Sequence, residues 1–360
     1  MIDSIYENLK RRLSDVMPDF ELRMKAEVAA EIEVLKRERN AVILAHNYME
    51  PALFHSVPDI RGDSLELSRR AAAVEQDVIV FCGVRFMAET AKILSPTKTV
   101  LLPSAAGGCS LASSITAADV RRIREQFPDI PVVCYVNTYA DVKAEVDVCC
   151  TSGNAAEVVK SLDSDQVIFL PDEFLARNVA IETGKTILLP AKDGSFEVVS
   201  EDSRPDLIGW HGRCEVHEKF TVEDIENVRK QFPDTMILAH PECSPEVVAA
   251  SDYSGSTTAM IKAVEESSAG RYLLLTECAM GDNIAGANPD KEMLRMCSVR
   301  CPHMNEITLE ETRDALLYDR YKIEVPDDIR VRAEVSIRKM LAVPPSVATS
   351  GPECPTKQMS

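Results

Sequence analysis

Three times along the chain a cysteine stands seven residues before a threonine that reads as the start of a helix. The copies are Cys109-Ser-Leu-Ala-Ser-Ser-Ile-Thr116, Cys214-Glu-Val-His-Glu-Lys-Phe-Thr221 and Cys301-Pro-His-Met-Asn-Glu-Ile-Thr308. Three positions after each threonine comes an acid, Asp119, Asp224 or Glu311. In this pattern side chains satisfy the free N–H groups of a first helical turn. Ile115, Phe220 and Ile307 precede the caps, and the first two can staple onto Val120 and Ile225. One cysteine before a helix constrains little. Three in one register predict three equivalent domains, each delivering one thiolate to a common point.

The register extends past the caps. Residues 115–129 match 220–234 at an offset of 105 residues without a gap, and Cys109 and Cys214 keep that offset. Both helices stop at Phe-Pro-Asp, because proline cannot continue the ladder. Apolar strands follow at 131–134 and 236–239, and a third-copy strand is expected at 271–276. A second similarity links 77–81 with 165–169, and 100–103 with 187–190. Upstream, residues 1–39 read as helical, with Val28, Ile32 and Leu35 on one face. Buried strands are expected at 41–45, 78–81 and 99–102, with helices over 62–74 and 86–94. Such alternation predicts parallel βαβ units, and a repeat near 100 residues is too long for a solenoid. The expected fold class is α/β: three homologous αβα domains with parallel sheets around a pseudo-threefold axis. They span 1–112 with an N-terminal helical extension, 113–217 and 218–304, followed by C-terminal helices over 305–342. Residues 192–210 read as a polar surface insertion, a hairpin, and 343–360 as a disordered tail.

The net charge of −18 argues against nucleic acid or an anionic membrane as partner, since both need a basic footprint. An anionic substrate must then be met by local groups. The first 40 residues are charged throughout and no apolar run approaches a membrane span, so the expectation is a cytoplasmic protein without a leader. Its eleven cysteines are then reduced, and a cluster of them means metal or catalysis rather than disulfides.

The first strand of each copy ends in polar residues: Ala45-His46-Asn47-Tyr48, Tyr135-Val136-Asn137-Thr138-Tyr139 and Ala239-His240-Pro241-Glu242. The carboxyl ends of parallel strands are where α/β sheets place ligands. Sixteen to eighteen residues on come an Asp-containing turn and a serine at a helix start: Asp59 with Ser64, Asp147 with Ser152, Asp252 with Ser256-Thr257. Helix N-termini hold carboxylate or phosphate, and three around one axis would bind a small polyanion. Any one copy taken alone reads as an ordinary cap or a structural histidine; recurrence in three copies favours a site. The seven-residue spacing selects Cys301 over Cys297 as the third thiol. Three converging thiolates could hold zinc with an open position, or three corners of a [4Fe–4S] cube with one iron lacking a protein ligand.

The chain resembles the bacterial quinolinate synthase family over residues 25–320. The resemblance rests on Ala45-His46-Asn47-Tyr48, Gly62-Asp63-Ser64, Phe86-Met87-Ala88-Glu89-Thr90-Ala91, Tyr135-Val136-Asn137-Thr138, Cys150-Thr151-Ser152, Cys214-Glu-Val-His217, His240-Pro241-Glu242-Cys243, Gly255-Ser256-Thr257 and Cys301-Pro-His-Met304. It implies a transferase of de novo NAD biosynthesis. Such an enzyme condenses iminoaspartate (iminosuccinate) with dihydroxyacetone phosphate into quinolinate, releasing phosphate and water, and L-aspartate oxidase is the source of the imine. It also implies a [4Fe–4S] cluster on Cys109, Cys214 and Cys301, whose open iron acts as a Lewis acid. Substrate contacts carried over are His46, Ser64, Tyr135, Val136, Asn137, Ser152, His240, Pro241, Glu242 and Thr257. Tyr48, Glu242 and His240 are the catalytic candidates, Tyr48 and Glu242 for acid–base work. His303 stands where the family often has an aromatic residue after the last Cys-Pro. The competing readings are a zinc-dependent aldolase or hydrolase with the same three cysteines, and a non-catalytic iron–sulfur sensor.

Overall fold

The computed structural model describes residues 1–190, 204–296 and 299–345. Apolar runs such as Val42-Ile-Leu-Ala45 suit strands covered on both faces, the condition of parallel sheets flanked by helices. Three such sheets form, each from one contiguous stretch. The first contains β1 (Ala41–His46), β2 (Ile60–Gly62), β3 (Val78–Cys82) and β4 (Thr99–Leu101). In the second are β5 (Val132–Tyr135), β6 (Val148–Cys150), β7 (Val167–Leu170), β8 (Ile187–Leu188) and β9 (Leu207–Ile208). The third comprises β10 (Met236–Ala239), β11 (Tyr253–Ser254), β12 (Arg271–Leu275) and β13 (Glu292–Leu294). Strand order is β2-β1-β3-β4, β6-β5-β7-β9-β8 and β11-β10-β12-β13, one order used three times with β8 added at an edge. Every pairing is parallel. The chain is α/β with three αβα units, as the repeats predict.

One sequence match does not hold in space. Residues 100–103 resemble 187–190, yet β4 pairs with β3 while the strand beside β7 is β9. β8 lies outside β9. Short apolar edge strands look alike, and similarity of that kind carries no register. β8 and β9 run parallel. Residues 192–203 of the insertion, and with them the expected hairpin, lie outside the described residues, as do Cys297 and residues 346–360 of the tail.

The strands β2, β6 and β11 are too short for periodicity to reveal, and an aspartate places each of them. The Ile43 amide donates to Asp59 Oδ2 at 2.9 Å, the Val132 amide to Asp147 Oδ2 at 2.7 Å, and the Ile237 amide to Asp252 Oδ2 at 2.8 Å. The aspartate amides donate back to the carbonyls of Ile43, Val132 and Ile237. A base on the preceding helix completes each unit: Lys36 at 2.8 Å, Arg124 at 2.7 Å and Arg229 at 2.9 Å. These recurring aspartates therefore serve architecture, fastening each central strand to its neighbour.

The cysteine junctions also share one backbone. From Cys109, Cys214 and Cys301 the carbonyl accepts the amide four residues on, at 3.1, 3.0 and 3.1 Å. Short 3₁₀ turns follow at Ala112–Ser114, His217–Lys219 and Met304–Glu306. Thr116, Thr221 and Thr308 then cap the helices Ala117–Gln126, Val222–Gln231 and Leu309–Tyr318. Asp119 and Asp224 close full capping boxes. Gly212 lets the second junction pass under β7, because a Cβ there would sit 2.5 Å from the Pro171 carbonyl and from Ser114 Oγ. The N-terminal region is two helices, Ile2–Leu13 and Asp19–Glu38, separated at Pro18. The helix Asp327–Ala342 packs on the second unit, where Ser336 Oγ donates to the Lys143 carbonyl at 2.8 Å and accepts from Cys149 Sγ of β6 at 3.4 Å. No described helix is long and apolar enough to cross a membrane.

Asp252→Ala strands the fully buried Ile237 amide and is expected to cost about 1–3 kcal/mol in denaturant unfolding, against less than about 0.5 kcal/mol for the exposed control Glu226→Ala. Equal midpoints for the two variants would contradict the fastening role.

Candidate active site

His46 ends β1, Tyr135 ends β5 and His240 directly follows β10. Two residues on in each copy are Tyr48, Asn137 and Glu242. All six line one cavity, a concave and largely apolar pocket of the kind that holds small ligands. The first and third copies shape it alike: the Tyr48 amide donates to His46 Nδ1 and the Glu242 amide to His240 Nδ1, both at 3.3 Å. Burial lowers the His46 pKa to about 4, so its ring is neutral with the proton on Nε2.

Helix starts contribute the next groups. Ser64 opens the helix Ser64–Ala71 and Thr257 opens Thr257–Glu266. Capping itself falls to their neighbours Asp63 and Ser256, joined by a 2.8 Å hydrogen bond. That division leaves Ser64 and Thr257 on the cavity wall beside two positive helix ends. Asn47 Nδ2 donates to Thr257 Oγ1 at 2.9 Å, tying the first copy to the third. Ser152 Oγ lies 3.1 Å from His240 Nε2, tying in the second. Among the described lining residues there is no lysine or arginine. Hydroxyls, amides and imidazoles supply the polar contacts, and Val84, Phe86, Met87, Val216 and Met304 supply apolar wall.

Glu242 is buried at the centre of a network. His217 Nδ1 lies 2.8 Å and His240 Nδ1 3.2 Å from its Oε2, while Asn137 Nδ2 donates to Oε1 at 3.2 Å. The two imidazole rings stack at 4.6 Å. Burial opposes the charge on Glu242, but the imidazoles outweigh it and hold the carboxyl well below the usual carboxylate range. Burial lowers the His217 pKa, against the opposing pull of Glu242 beside it. His217 Nδ1 is also 3.1 Å from Cys214 Sγ, and Nε2 is 3.0 Å from Thr276 Oγ1. The Thr276 hydroxyl in turn bonds the Tyr48 phenol. Burial pushes the Tyr48 and Tyr135 phenols well up, with Glu242 adding to both.

Cys109, Cys214 and Cys301 line this same cavity. Burial pushes the Cys109 thiol up to about 12, Cys301 to about 11, and Cys214 strongly up. Cys301 adds to the rise at Cys109, and Cys109 to that at Cys214, so the thiols lie within each other's electrostatic reach. Among the described residues, Cys214 Sγ, His217 and Glu242 also offer ligand atoms within 4.8 Å of one another.

The family model for quinolinate synthetase A protein matches residues 30–342. The chain belongs to that family. It is 52% identical to quinolinate synthase 2 of Mesorhizobium japonicum over 309 residues, covering 86% of this chain and 89% of that protein. Identity to the quinolinate synthase of Agrobacterium fabrum is 50% over 337 residues, covering 93% and 91% of the two chains. The Xylella fastidiosa quinolinate synthase is 52% identical over 309 residues, covering 86% and 85%.

For this family member, the structure gathers twelve of the residues singled out in the sequence: the three cysteines, His46, Tyr48, Ser64, Tyr135, Asn137, Ser152, His240, Glu242 and Thr257. Val136 and Pro241 are outside the lining; the Val136 amide donates to the Cys150 carbonyl, and the Pro241 carbonyl accepts from Asn178. Sequence reasoning gave no role to His217, Thr276 or Glu277. His217 stands at the first position of its 3₁₀ turn, where the other copies have Ala112 and Met304. Thr276 and Glu277 follow β12, so strand-end reasoning would have found them had it been applied to the third strand of each sheet as well as the first. Glu277 caps the helix Cys278–Ala287 through Oε2, and burial raises its pKa to about 7 against the pull of the Ala279 and Cys301 amides.

A carboxyl raised in the folded state binds its proton more tightly there than in the unfolded chain. Stability is then full below the unfolded value near 4.5 and falls as pH rises through about 7. In metal-free protein, Glu277→Gln is expected to gain stability relative to the parent at pH 8 compared with pH 5, read from denaturant midpoints. A constant difference at both pH values would contradict the raised carboxyl.

Proposed function

We propose that the chain is a quinolinate synthase of de novo NAD biosynthesis, acting in the cytoplasm. It condenses iminoaspartate (iminosuccinate) with dihydroxyacetone phosphate to quinolinate, with loss of phosphate and water. The observation that carries this reading is that one thiol from each repeat lines the same cavity as the buried Glu242–His217–His240 network. L-aspartate oxidase supplies the unstable imine in this proposal.

The donor set fits a [4Fe–4S] cluster. Three half-buried thiols that resist ionisation alone would become thiolates once a cationic centre is present, with release of their protons. Cys109, Cys214 and Cys301 would hold it, leaving one iron without a protein ligand. When bound, the cluster supplies Lewis acidity for loss of a hydroxyl.

The chain's own residues do the rest. Both substrates are anionic, and the cavity meets them with neutral donors: Ser64, Ser152, Thr257, Asn137 and the His46 Nε2–H. Withholding lysine keeps a competing amine away from a carbonyl substrate. Phosphate loss and carbon–carbon bond formation need proton transfers beside a carbonyl. Glu242, kept ionised by His217 and His240, is the base candidate. Tyr48, a phenol kept protonated by burial, is the acid candidate, with His240 orienting both Glu242 and Ser152.

An anaerobic assay with the two substrates, beside iron and acid-labile sulfide content, tests the reading. Quinolinate should form, and Glu242→Gln should keep iron and sulfide while losing at least about 100-fold in kcat. Near-normal turnover of that variant would remove Glu242 from the chemistry. Cys301→Ser is expected to abolish iron and sulfide, and Cys297→Ser to leave them near normal; the reverse would overturn the ligand choice. The compact Cys214–His217–Glu242 group favours a second reading, a mononuclear zinc enzyme. Zinc without acid-labile sulfide in anaerobically purified protein would decide for it.

A further inference from the structure

The turns that carry Tyr48 and Glu242 have one backbone. The Met49 amide donates to the His46 carbonyl at 3.1 Å, and the Cys243 amide to the His240 carbonyl at 2.9 Å. The Tyr48 and Glu242 amides donate to His46 and His240 Nδ1, so these N–H groups are satisfied within their own turns. The carbonyls on either side of Tyr48 and Glu242 are held from another unit. Asn178 Nδ2 donates to the carbonyls of Pro241 at 2.8 Å and Cys243 at 2.9 Å. Asn283 Nδ2 donates to the carbonyls of Asn47 at 3.1 Å and Met49 at 2.9 Å. A primary amide carries two N–H groups on one nitrogen and can hold two acceptors at once.

The two asparagines occupy one place in the repeat. Asn178 lies on the helix Glu173–Thr183 of the second unit and grips the third, while Asn283 lies on Cys278–Ala287 of the third and grips the first. Each stands six residues past its helix N-cap, Asp172 or Glu277, and the two are 105 residues apart, the offset that relates the junctions. In the first unit that place, six past Val84, is Thr90, whose hydroxyl donates to the Phe86 carbonyl of its own helix at 2.8 Å. The turn of the second unit closes by other means: the Val136 carbonyl accepts the Thr138 amide at 2.8 Å, and Lys143 Nζ donates to the Thr138 carbonyl. The fold can therefore end this strand without the amide grip. It is present at Tyr48 and Glu242, and absent at Asn137.

We propose that Asn178 and Asn283 are positioning residues, each reaching from a neighbouring unit to clamp the carbonyls that flank an acid–base group and so fixing Glu242 and Tyr48 in the cavity. The inference rests on the reading of those two residues as the base and the acid. Neither asparagine is among the cavity-lining residues, so each acts through the turn it holds. Without the amide, two carbonyls in each turn lose their donor and the peptide units around the side chain keep only their N–H bonds.

Asn178→Leu and Asn283→Leu remove the donors at similar volume. In the anaerobic quinolinate assay each is expected to lower kcat by about 10- to 100-fold with little change in KM, since misplacing an oriented group costs rate more than binding. Iron and sulfide content should stay at the parent level. Selectivity separates positioning from a general loosening of the fold. Added to Glu242→Gln, Asn178→Leu should change the residual kcat by no more than about twofold while Asn283→Leu keeps its full effect; added to Tyr48→Phe, the pattern should reverse. Should a leucine variant fail to fold, the alanine variant, which leaves room for a bridging water, is read against the same outcomes. Parent-level kcat in both single variants, loss of iron and sulfide, or full effects in all four double variants would each overturn the proposal. A parent enzyme that makes no quinolinate would instead refute the functional reading, which separates the two failures.

Discussion

A cysteine seven residues before a capped threonine has little freedom. Its carbonyl is committed to the amide four residues on, a single 3₁₀ turn follows, and the cap fixes where the next helix begins. Thiol position is thereby tied to helix position. Because each sheet repeats one strand order, the constraint acts three times and places one thiol from each junction on a shared cavity. Nothing in one copy alone would build that cavity. Contacts that complete it cross between copies, as Asn47 to Thr257, Ser152 to His240 and Tyr48 to Thr276 do.

The electrostatics follow from the same geometry. Burying thiols, phenols and a carboxyl together would normally leave all of them protonated. Glu242 escapes because His217 and Asn137, from two other elements, donate to it beside the stacked His240 ring. The protein carries net charge −18, and its cavity lacks lysine and arginine among the described lining residues. Anion binding then falls to oriented dipoles, helix starts and neutral N–H and O–H groups, which discriminate by geometry where a lysine would act as a point charge.

Much of this was legible in the sequence because the copies could be compared with one another. The Cys-to-Thr spacing, the strand-end residues and the helix-start residues each recur, and the structure brings them together. The Asp59, Asp147 and Asp252 positions recur equally well, yet they fasten strands. Recurrence alone does not separate scaffold from site. Departure from the repeat is the complementary signal. His217 against Ala112 and Met304, and Thr276 against Gly83 and Pro171, are polar where the backbone needs nothing polar. The misplacing of 187–190 has a different cause: a two-residue edge strand has too few side chains to specify its neighbour.

We propose that three thiolates, one per repeat, hold a cluster whose remaining iron is reserved for substrate. Mössbauer spectroscopy of protein reconstituted with ⁵⁷Fe, recorded with and without quinolinate, addresses it most directly. With three thiolate-bound irons and one open iron, a quarter of the iron signal should shift on adding quinolinate while the rest stays in place. A spectrum unchanged by quinolinate, or iron absent while zinc is bound, would contradict it.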